Sequence, residues 1–191
     1  MRWDELFDDL ESQLERELTA EELDLDAEEE RLRLGRLGLR DRLGAVLDHP
    51  LTVWFADGQR LRLRALTLGR DWFSADIVDD VTRPRQVIVP LHAITGITLP
   101  RGAVAVSLRG DPGREPALTA RLGLPFVLRD LCRRRRAVGV ELAAATVHGT
   151  IDRVGRDHLD LALHEPGVPR RDAAVAEVRI VPFDAVRLVR L

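Results

Sequence analysis

The chain has 191 residues, of which 45% are hydrophobic and 32% are charged, enough for one large folded domain or two small ones. It contains no apolar run long enough to span a bilayer, and its acidic N-terminus does not resemble a signal peptide, so we expect a soluble, cytoplasmic protein. Cys132 is the only cysteine, which excludes an internal disulfide and a cysteine metal site.

The net charge of −3 hides a strong asymmetry along the sequence. Residues 1–30 carry 14 acidic residues against two arginines, a net charge of −12. The remaining residues, 31–191, carry a net charge of +9, and all 29 basic residues of the chain are arginine. A basic body can attract polyanions, and an acidic segment can mask that body or recruit a basic partner.

The chain begins with an amphipathic pattern over residues 2–18. Trp3, Phe7, Leu10 and Leu14 follow spacings of four, three and four, which are typical of a coiled-coil seam. We therefore expect a helix whose apolar side binds a protein partner or a second copy of the chain.

A second helix is predicted over about residues 20–46. Thr19 and Glu22 fit a capping box, in which Thr19 would start a new helix. Asp48-His49-Pro50 would then end it.

Short strands follow, first over residues 51–99. We predict them at 51–55, 60–68, 72–78, 86–91 and 94–99, with a tight turn at Asp57-Gly58 and a bend or bulge near Ala65. Residues 101–116 are rich in Gly and Pro and are interpreted as a linker. A helix is predicted over 117–134, where Pro125 lies near its start.

The five-strand pattern then recurs, with strands predicted at 138–142, 145–154, 157–163, 177–182 and 185–190. Three motifs recur in the same order, at offsets of 85, 86 and 92 residues. They are Arg36-Leu37-Gly38-Leu39 with Arg121-Leu122-Gly123-Leu124, Gly69-Arg70-Asp71 with Gly155-Arg156-Asp157, and Ile88-Val89-Pro90 with Ile180-Val181-Pro182. The chain therefore contains an internal repeat, and each copy consists of a helix followed by five strands.

The motifs of each copy resemble those of Sm-like proteins. Residues 52–58 and 69–73 resemble the first Sm motif, with a hydrophobic strand, an Asp-Gly turn, a bent strand and an Asp-x-Phe sequence. In copy two, Gly149 is the glycine that lets this strand bend, and residues 90–95 resemble the His-Ala-Ile-Ser stretch of the bacterial Hfq branch. The chain also resembles proteins of GC-rich actinobacteria, a likeness that implies no activity.

This resemblance implies a mainly β fold of two tandem Sm-like, SH3-like five-stranded barrels, each preceded by a helix. The expected organisation is an acidic helical extension at 1–30, repeat 1 at 31–100, a linker at 101–116 and repeat 2 at 117–191. Sm proteins bind bases with an Asn in the third strand, where this chain has Ala75 and Leu161. Their Arg-Gly pair is replaced by Leu91-His92 and Phe183-Asp184.

The candidate nucleic-acid-binding residues lie mostly in turns. Arg70 and Arg156, each in a Gly-Arg-Asp turn, can bind phosphate or stack on a base, although both can equally be solvated turn residues. Trp72 is either a stacking platform or a core or interface residue, and His92 is either a nucleotide contact or an ordinary turn residue. The run Arg133-Arg134-Arg135-Arg136 can grip a phosphate backbone or simply close a helix, where cations are favourable.

We expect no enzymatic activity and no cofactor. The five histidines have no metal-ligand spacing, and there is no nucleophile elbow, P-loop or dinucleotide fingerprint. The leading hypothesis is a binding protein for RNA, or a component of a ribonucleoprotein or transcription complex. The alternative is a protein-interaction scaffold that docks through Trp3, Phe7, Leu10 and Leu14. A DNA-binding regulator is less favoured because no helix-turn-helix reader is evident.

Overall fold

The computed structural model describes residues 3–47, 49–78, 86–110, 118–167, 175 and 177–191. The chain forms two compact units, one comprising residues 1–38 and the other residues 39–191. The first unit is one long helix, α1, from Trp3 to Arg36. The second unit contains the remaining helices and all the strands.

Helix α1 runs through Thr19 without interruption, so the predicted break between two helices was wrong. The residues on both sides of Thr19 are mostly Glu, Leu, Ala and Arg, which favour helix, and no proline or glycine interrupts them before Gly35. The sequence predicted as one helix up to residue 46 is divided at Leu37-Gly38, after which α2 spans Leu39–Gly44.

The second unit contains ten strands in one open antiparallel sheet. They are β1 Pro50–Phe55, β2 Arg60–Leu68, β3 Trp72–Ile77, β4 Gln86–Pro90, β5 Ile94–Thr98, β6 Ala137–Glu141, β7 Thr146–Val154, β8 His158–Leu163, β9 Glu177–Pro182 and β10 Leu188–Arg190. Each agrees with a predicted strand, with small differences at the ends. The predicted bulge in β2 is confirmed by a register shift between Ala65 and Thr67, and β7 shifts at the matching place between Ile151 and Arg153.

The strand order is β5-β1-β2-β3-β4-β10-β6-β7-β8-β9. Each repeat therefore forms a five-strand set with the same internal order. The sequence predicted two separate barrels. The sets do not close in this way, because the outer edge of β4 pairs with β10 of the other repeat. Strands β5 and β9 lie at the two ends of the sheet.

Two further helices accompany the sheet. Part of the predicted linker is helical, since α3 spans Arg101–Leu108 and buries Ser107 against α2, where the Arg42 guanidinium donates to Ser107 Oγ at 2.9 Å. The predicted helix at 117–134 is a 3₁₀ turn at 118–121 followed by α4, Leu124–Arg133, with Pro125 in its first turn. Residues 111–116 of the predicted linker lie outside the described residues.

Each repeat has its own hydrophobic core. The first contains buried residues from α2 and strands β1–β4, and the second contains residues from α4 and strands β6–β10. Three residues cross over: Trp72 and Ile88 of repeat 1 are buried in the second core, and Leu188 of repeat 2 is buried in the first. The contact between the repeats, which we call the joint, is therefore packed like an interior.

The joint also contains hydrogen bonds between a turn of repeat 1 and the start of α4. The Arg70 backbone N–H donates to Leu122 O at 3.0 Å, and the Trp72 indole N–H donates to the same oxygen at 2.9 Å. The backbone N–H of Leu124 donates to Asp71 Oδ1 at 2.7 Å. Asp71 thus satisfies one of the unpaired N–H groups at the start of a helix.

A buried ionic network completes the joint. Arg187 of repeat 2 donates to Asp57 and, at 2.8 Å, to Gln59 Oε1, both in the β1–β2 turn of repeat 1. It also lies 3.4 Å from Glu141, which accepts from Arg190 Nε at 2.5 Å. Arg187 and Glu141 are buried. Without Arg187, Asp57 would lose its cation and Glu141 would keep only Arg190, and a buried charge that loses a partner is costly.

We predict that Arg187→Ala lowers the free energy of unfolding by about 3 kcal/mol, because Asp57 and Glu141 lose their shared cation. Urea denaturation of the full chain measures this change. Arg153→Ala is the matched control, since its ion pair with Asp160 at 3.2 Å is solvated and contributes less than about 1 kcal/mol. Equal effects of the two substitutions would contradict a structural role for the network.

Candidate nucleic-acid interface

Three arginines lie in a row on the outer side of β2. The strand alternates, with Arg60, Arg62 and Arg64 exposed while Leu63 and Ala65 are buried in the first core. Side chains two residues apart in a strand lie on the same face, at intervals of about 6.8 Å along the strand. One face of β2 therefore packs in the core, and the opposite face presents a strip of arginines.

Trp54 of β1 lies beside this row. Trp54 is paired with Arg60 across the two strands, and the Arg60 guanidinium carbon lies 5.5 Å from the ring centroid. The indole N–H donates to Thr98 Oγ1 at 2.9 Å, which fixes the ring, while 37% of the residue remains exposed. We call Trp54, Arg60, Arg62 and Arg64 the Arg60 face.

The Arg60 face is open and locally basic. A shallow cavity of about 470 Å³ lies against it, lined by Thr52, Trp54, Arg60, Arg62 and Thr98. Within the part of the chain that the structure describes, no carboxylate forms an ion pair with the three arginines. The nearby Asp57 is held by Arg187. Asp76 of β3 lies opposite Arg64 in the strand register but forms no ion pair with it. Guanidinium groups that form no ion pair, beside a partly exposed indole, are suited to phosphate binding and to base stacking.

Sequence reasoning missed this face, although two signals were present. One is the Arg-x-Arg-x-Arg alternation within a predicted strand. The other is a tryptophan in the preceding predicted strand, which a tight turn connects to the strand that contains the arginines. In repeat 2 the position of Arg62 is occupied by His148, which lines a separate cavity of about 460 Å³. The basic row therefore belongs to repeat 1 alone.

The structure brings three of the predicted residues into one cavity, which we call the turn cavity. Arg70, His92 and Arg156 line it, and its volume is about 690 Å³. Three carboxylates line the same space, from Asp71, Asp157 and Asp184. Arg70 NH2 lies 3.6 Å from Asp71 Oδ2, and 66% of its side chain is exposed. The mixture of charges makes the turn cavity less favourable to a phosphate than the Arg60 face.

Trp72 does not present its ring to solvent. It is buried in the second core and its indole N–H is hydrogen-bonded to Leu122 O. This burial agrees with the alternative role of Trp72 as a packing residue. Trp72 is therefore not part of the candidate interface.

The arginine run 133–136 closes α4. Arg133 NH2 and Arg134 Nε each donate to the Asp130 carboxylate at 2.6 Å, and these bonds lower the pKa of Asp130. Arg135 has a positive φ of 50° as the chain leaves the helix, and Arg135 and Arg136 are exposed. Half of the run is thus paired locally.

The predicted partner-binding residues lie on α1. Leu14 is exposed, whereas the side chains of Trp3, Phe7 and Leu10 lie outside the described ones. Further along the helix, Leu18, Leu25 and Leu32 are exposed at intervals of seven residues.

The comparisons with known proteins identify no relative: no family model, no curated protein and no solved structure matches the chain. Among the described residues, no group of three or more His, Cys, Asp or Glu side chains is placed to hold a metal ion. No helix in the same residues has the length and apolar character needed to cross a membrane.

In the turn cavity, we predict that Asp157 titrates below the ordinary range of an aspartate. Its carboxylate lies 2.8 Å from His158 Nδ1, and this hydrogen bond is the main cause that lowers the pKa of Asp157. The bond therefore favours the folded state above the ordinary aspartate pKa, and this contribution is lost as the pH falls through the lowered value. In an NMR titration, His158→Leu should raise the pKa of Asp157, whereas His148→Leu should leave it unchanged. An unshifted Asp157 in the His158 variant would contradict the assignment.

Proposed function

We propose that the protein is a non-enzymatic binding protein for single-stranded RNA, and that the Arg60 face is the surface that contacts the RNA. The observation that supports this most strongly is the row of three exposed arginines beside the exposed ring of Trp54, with no carboxylate bonded to them in the described part of the chain. A positively charged strip with an aromatic platform is the usual arrangement for binding a single strand without strong sequence preference.

The sequence resemblance to Sm-like proteins is part of this proposal. We propose that each five-strand set is an Sm-like unit that has lost the family's mode of base recognition. Ala75 and Leu161, which replace the base-binding Asn, are both fully buried apolar residues. Recognition would therefore depend on phosphate contacts and stacking, and binding would fall steeply with salt.

The direct test replaces Arg60, Arg62 and Arg64 together by Gln. If each contacts a phosphate, the slope of log K against log salt for a fluorescent single-stranded RNA becomes less steep by about 2. The matched control is Arg133→Gln with Arg134→Gln, which also removes arginines but takes them from Asp130, and binding should change less. Trp54→Leu should weaken binding by about 1–3 kcal/mol at constant salt slope. If the triple variant binds with the parent's salt slope, the Arg60 face is not the interface.

The acidic residues of α1 provide a second test. We predict that deleting residues 1–30 increases affinity for RNA at low salt, because a tethered net charge of −12 competes with phosphates for the basic body. The gain should shrink at higher salt, where the attraction is screened. Binding curves of the full and truncated chains at two salt concentrations measure it. If the truncated chain fails to bind RNA even at low salt, the RNA proposal is excluded.

A protein-interaction scaffold is the second candidate, and the surface of α1 favours it. Leu14, Leu18, Leu25 and Leu32 are exposed on a helix that is otherwise rich in acidic residues. Such a helix would gain stability by covering these leucines with a partner. Deleting residues 1–30 also tests this role. The truncated chain should no longer bind the protein partner, whereas it should still bind RNA.

A further inference from the structure

Helix α1 exposes a row of leucines at a regular interval. Leu18, Leu25 and Leu32 lie seven residues apart, and each is more than half exposed. Residues seven apart lie within about 20° of each other around an α-helix, so the three side chains form one stripe, which we call the leucine stripe. Every residue from 21 to 36 is exposed. A helix without buried side chains gains stability when a partner covers its apolar stripe.

Glutamates border the leucine stripe on both sides. Glu21 and Glu28 each lie three residues after a leucine of the stripe, and Glu22 and Glu29 each lie four residues after one. Residues three and four apart are neighbours on a helix surface, so two carboxylates flank each interval between successive leucines. Glu28 forms a solvated ion pair with Arg31 at 3.3 Å. Among the described side chains, the other three glutamates form no ion pair.

These charges disfavour a second copy of the chain as the partner. If the stripes of two copies packed together, parallel or antiparallel, the four glutamates of one helix would face the same four of the other helix. Like charges that face each other across a seam disfavour pairing, whereas opposite charges select a partner. Residues 1–30 of each copy also carry a net charge of −12, so two of these segments repel each other.

We propose that the leucine stripe binds a basic amphipathic helix of another protein. The partner helix has an apolar row that packs on Leu18, Leu25 and Leu32, and it has lysine or arginine on both sides of that row. Its cations lie opposite the four glutamates, in the arrangement by which charges beside a coiled-coil seam determine the choice of partner. The interval of the leucines favours a helical partner over an extended one, because a second helix can repeat its apolar row every seven residues as well.

This inference rests on the scaffold role, the second candidate function, and names the partner class that this role requires. It does not rest on RNA binding, because the Arg60 face belongs to β1 and β2 and not to α1. The two interactions are measured with different ligands, a basic helix and a single-stranded RNA. Either one can therefore fail while the other holds.

The first test uses a fluorescent synthetic peptide of about five heptads, with leucine at the positions that face the stripe and lysine at those that face the glutamates. The full chain should bind it, and Leu25→Gln should weaken binding at least about tenfold, because one leucine is lost from the contact. Leu23→Gln is the matched control, since Leu23 is similarly exposed but lies about 160° from Leu25 around the helix. Absence of binding by the parent, or equal binding by Leu25→Gln, would overturn the proposal.

Two further peptides separate the ionic and the apolar contributions. One has glutamate in place of every lysine, and the other has glutamine in place of every leucine. Both should bind more weakly than the basic leucine peptide. Equal binding of the acidic peptide would contradict selection by charge, and equal binding of the glutamine peptide would reduce the contact to general attraction between opposite charges. Raising the salt concentration should weaken binding of the basic leucine peptide, because exposed charges are screened.

Light scattering distinguishes the basic partner from a second copy of the chain. The parent and Leu25→Gln should have the same mass over a dilution series, and circular dichroism verifies that both keep the helix. A lower mass for Leu25→Gln than for the parent and Leu23→Gln would place a second copy on the stripe. That result would overturn the basic partner and leave a scaffold role for α1. If Leu25→Gln changes neither the mass nor the binding of the peptide, the scaffold role fails as well.

Discussion

The pairing of β4 with β10 is the interaction on which the rest of the structure depends. Without it, Trp72 and Ile88 would lose the second core, and Leu188 would lose the first. Small domains bury too little surface to be strongly stable alone, so two five-strand sets gain by sharing one interior. The ion pairs of the buried Arg187 with Asp57 and Glu141 add a specific constraint, because another register would separate this cation from its carboxylates.

The two repeats have kept their shape and diverged in their surfaces. Both Gly-Arg-Asp turns are followed by a ring that lies over the glycine, where an added Cβ would come within 2.2 Å of the Trp72 ring or 2.6 Å of the His158 ring. In repeat 1 the ring is a tryptophan that packs against the other repeat, and in repeat 2 it is a histidine bonded to Asp157. The fold thus preserves the local geometry while different side chains adapt the two ends of the sheet.

The distribution of charge in the sequence is a poor guide to the charge available for binding. In the most concentrated basic run, 133–136, two of the four arginines form ion pairs with Asp130. Arg70 and Arg156 share their cavity with three carboxylates. The three arginines of β2 are not consecutive in the sequence, yet the alternation of the strand places them on one face. What decides availability is which acidic groups lie nearby, and those come from distant parts of the chain.

The sequence by itself determined the repeat, the ten strands and the bulge in β2, because period-two alternation, turn residues and duplicated motifs are local signals. It also determined the acidic character of α1. Only the tertiary structure decided that the two strand sets share one open sheet, that Trp72 is a core residue, and that Arg60, Arg62 and Arg64 lie beside Trp54. Edge pairing and burial depend on groups far apart in sequence: Arg187 and Asp57 are separated by 130 residues. No local pattern encodes such contacts, which exist only when the chain is folded.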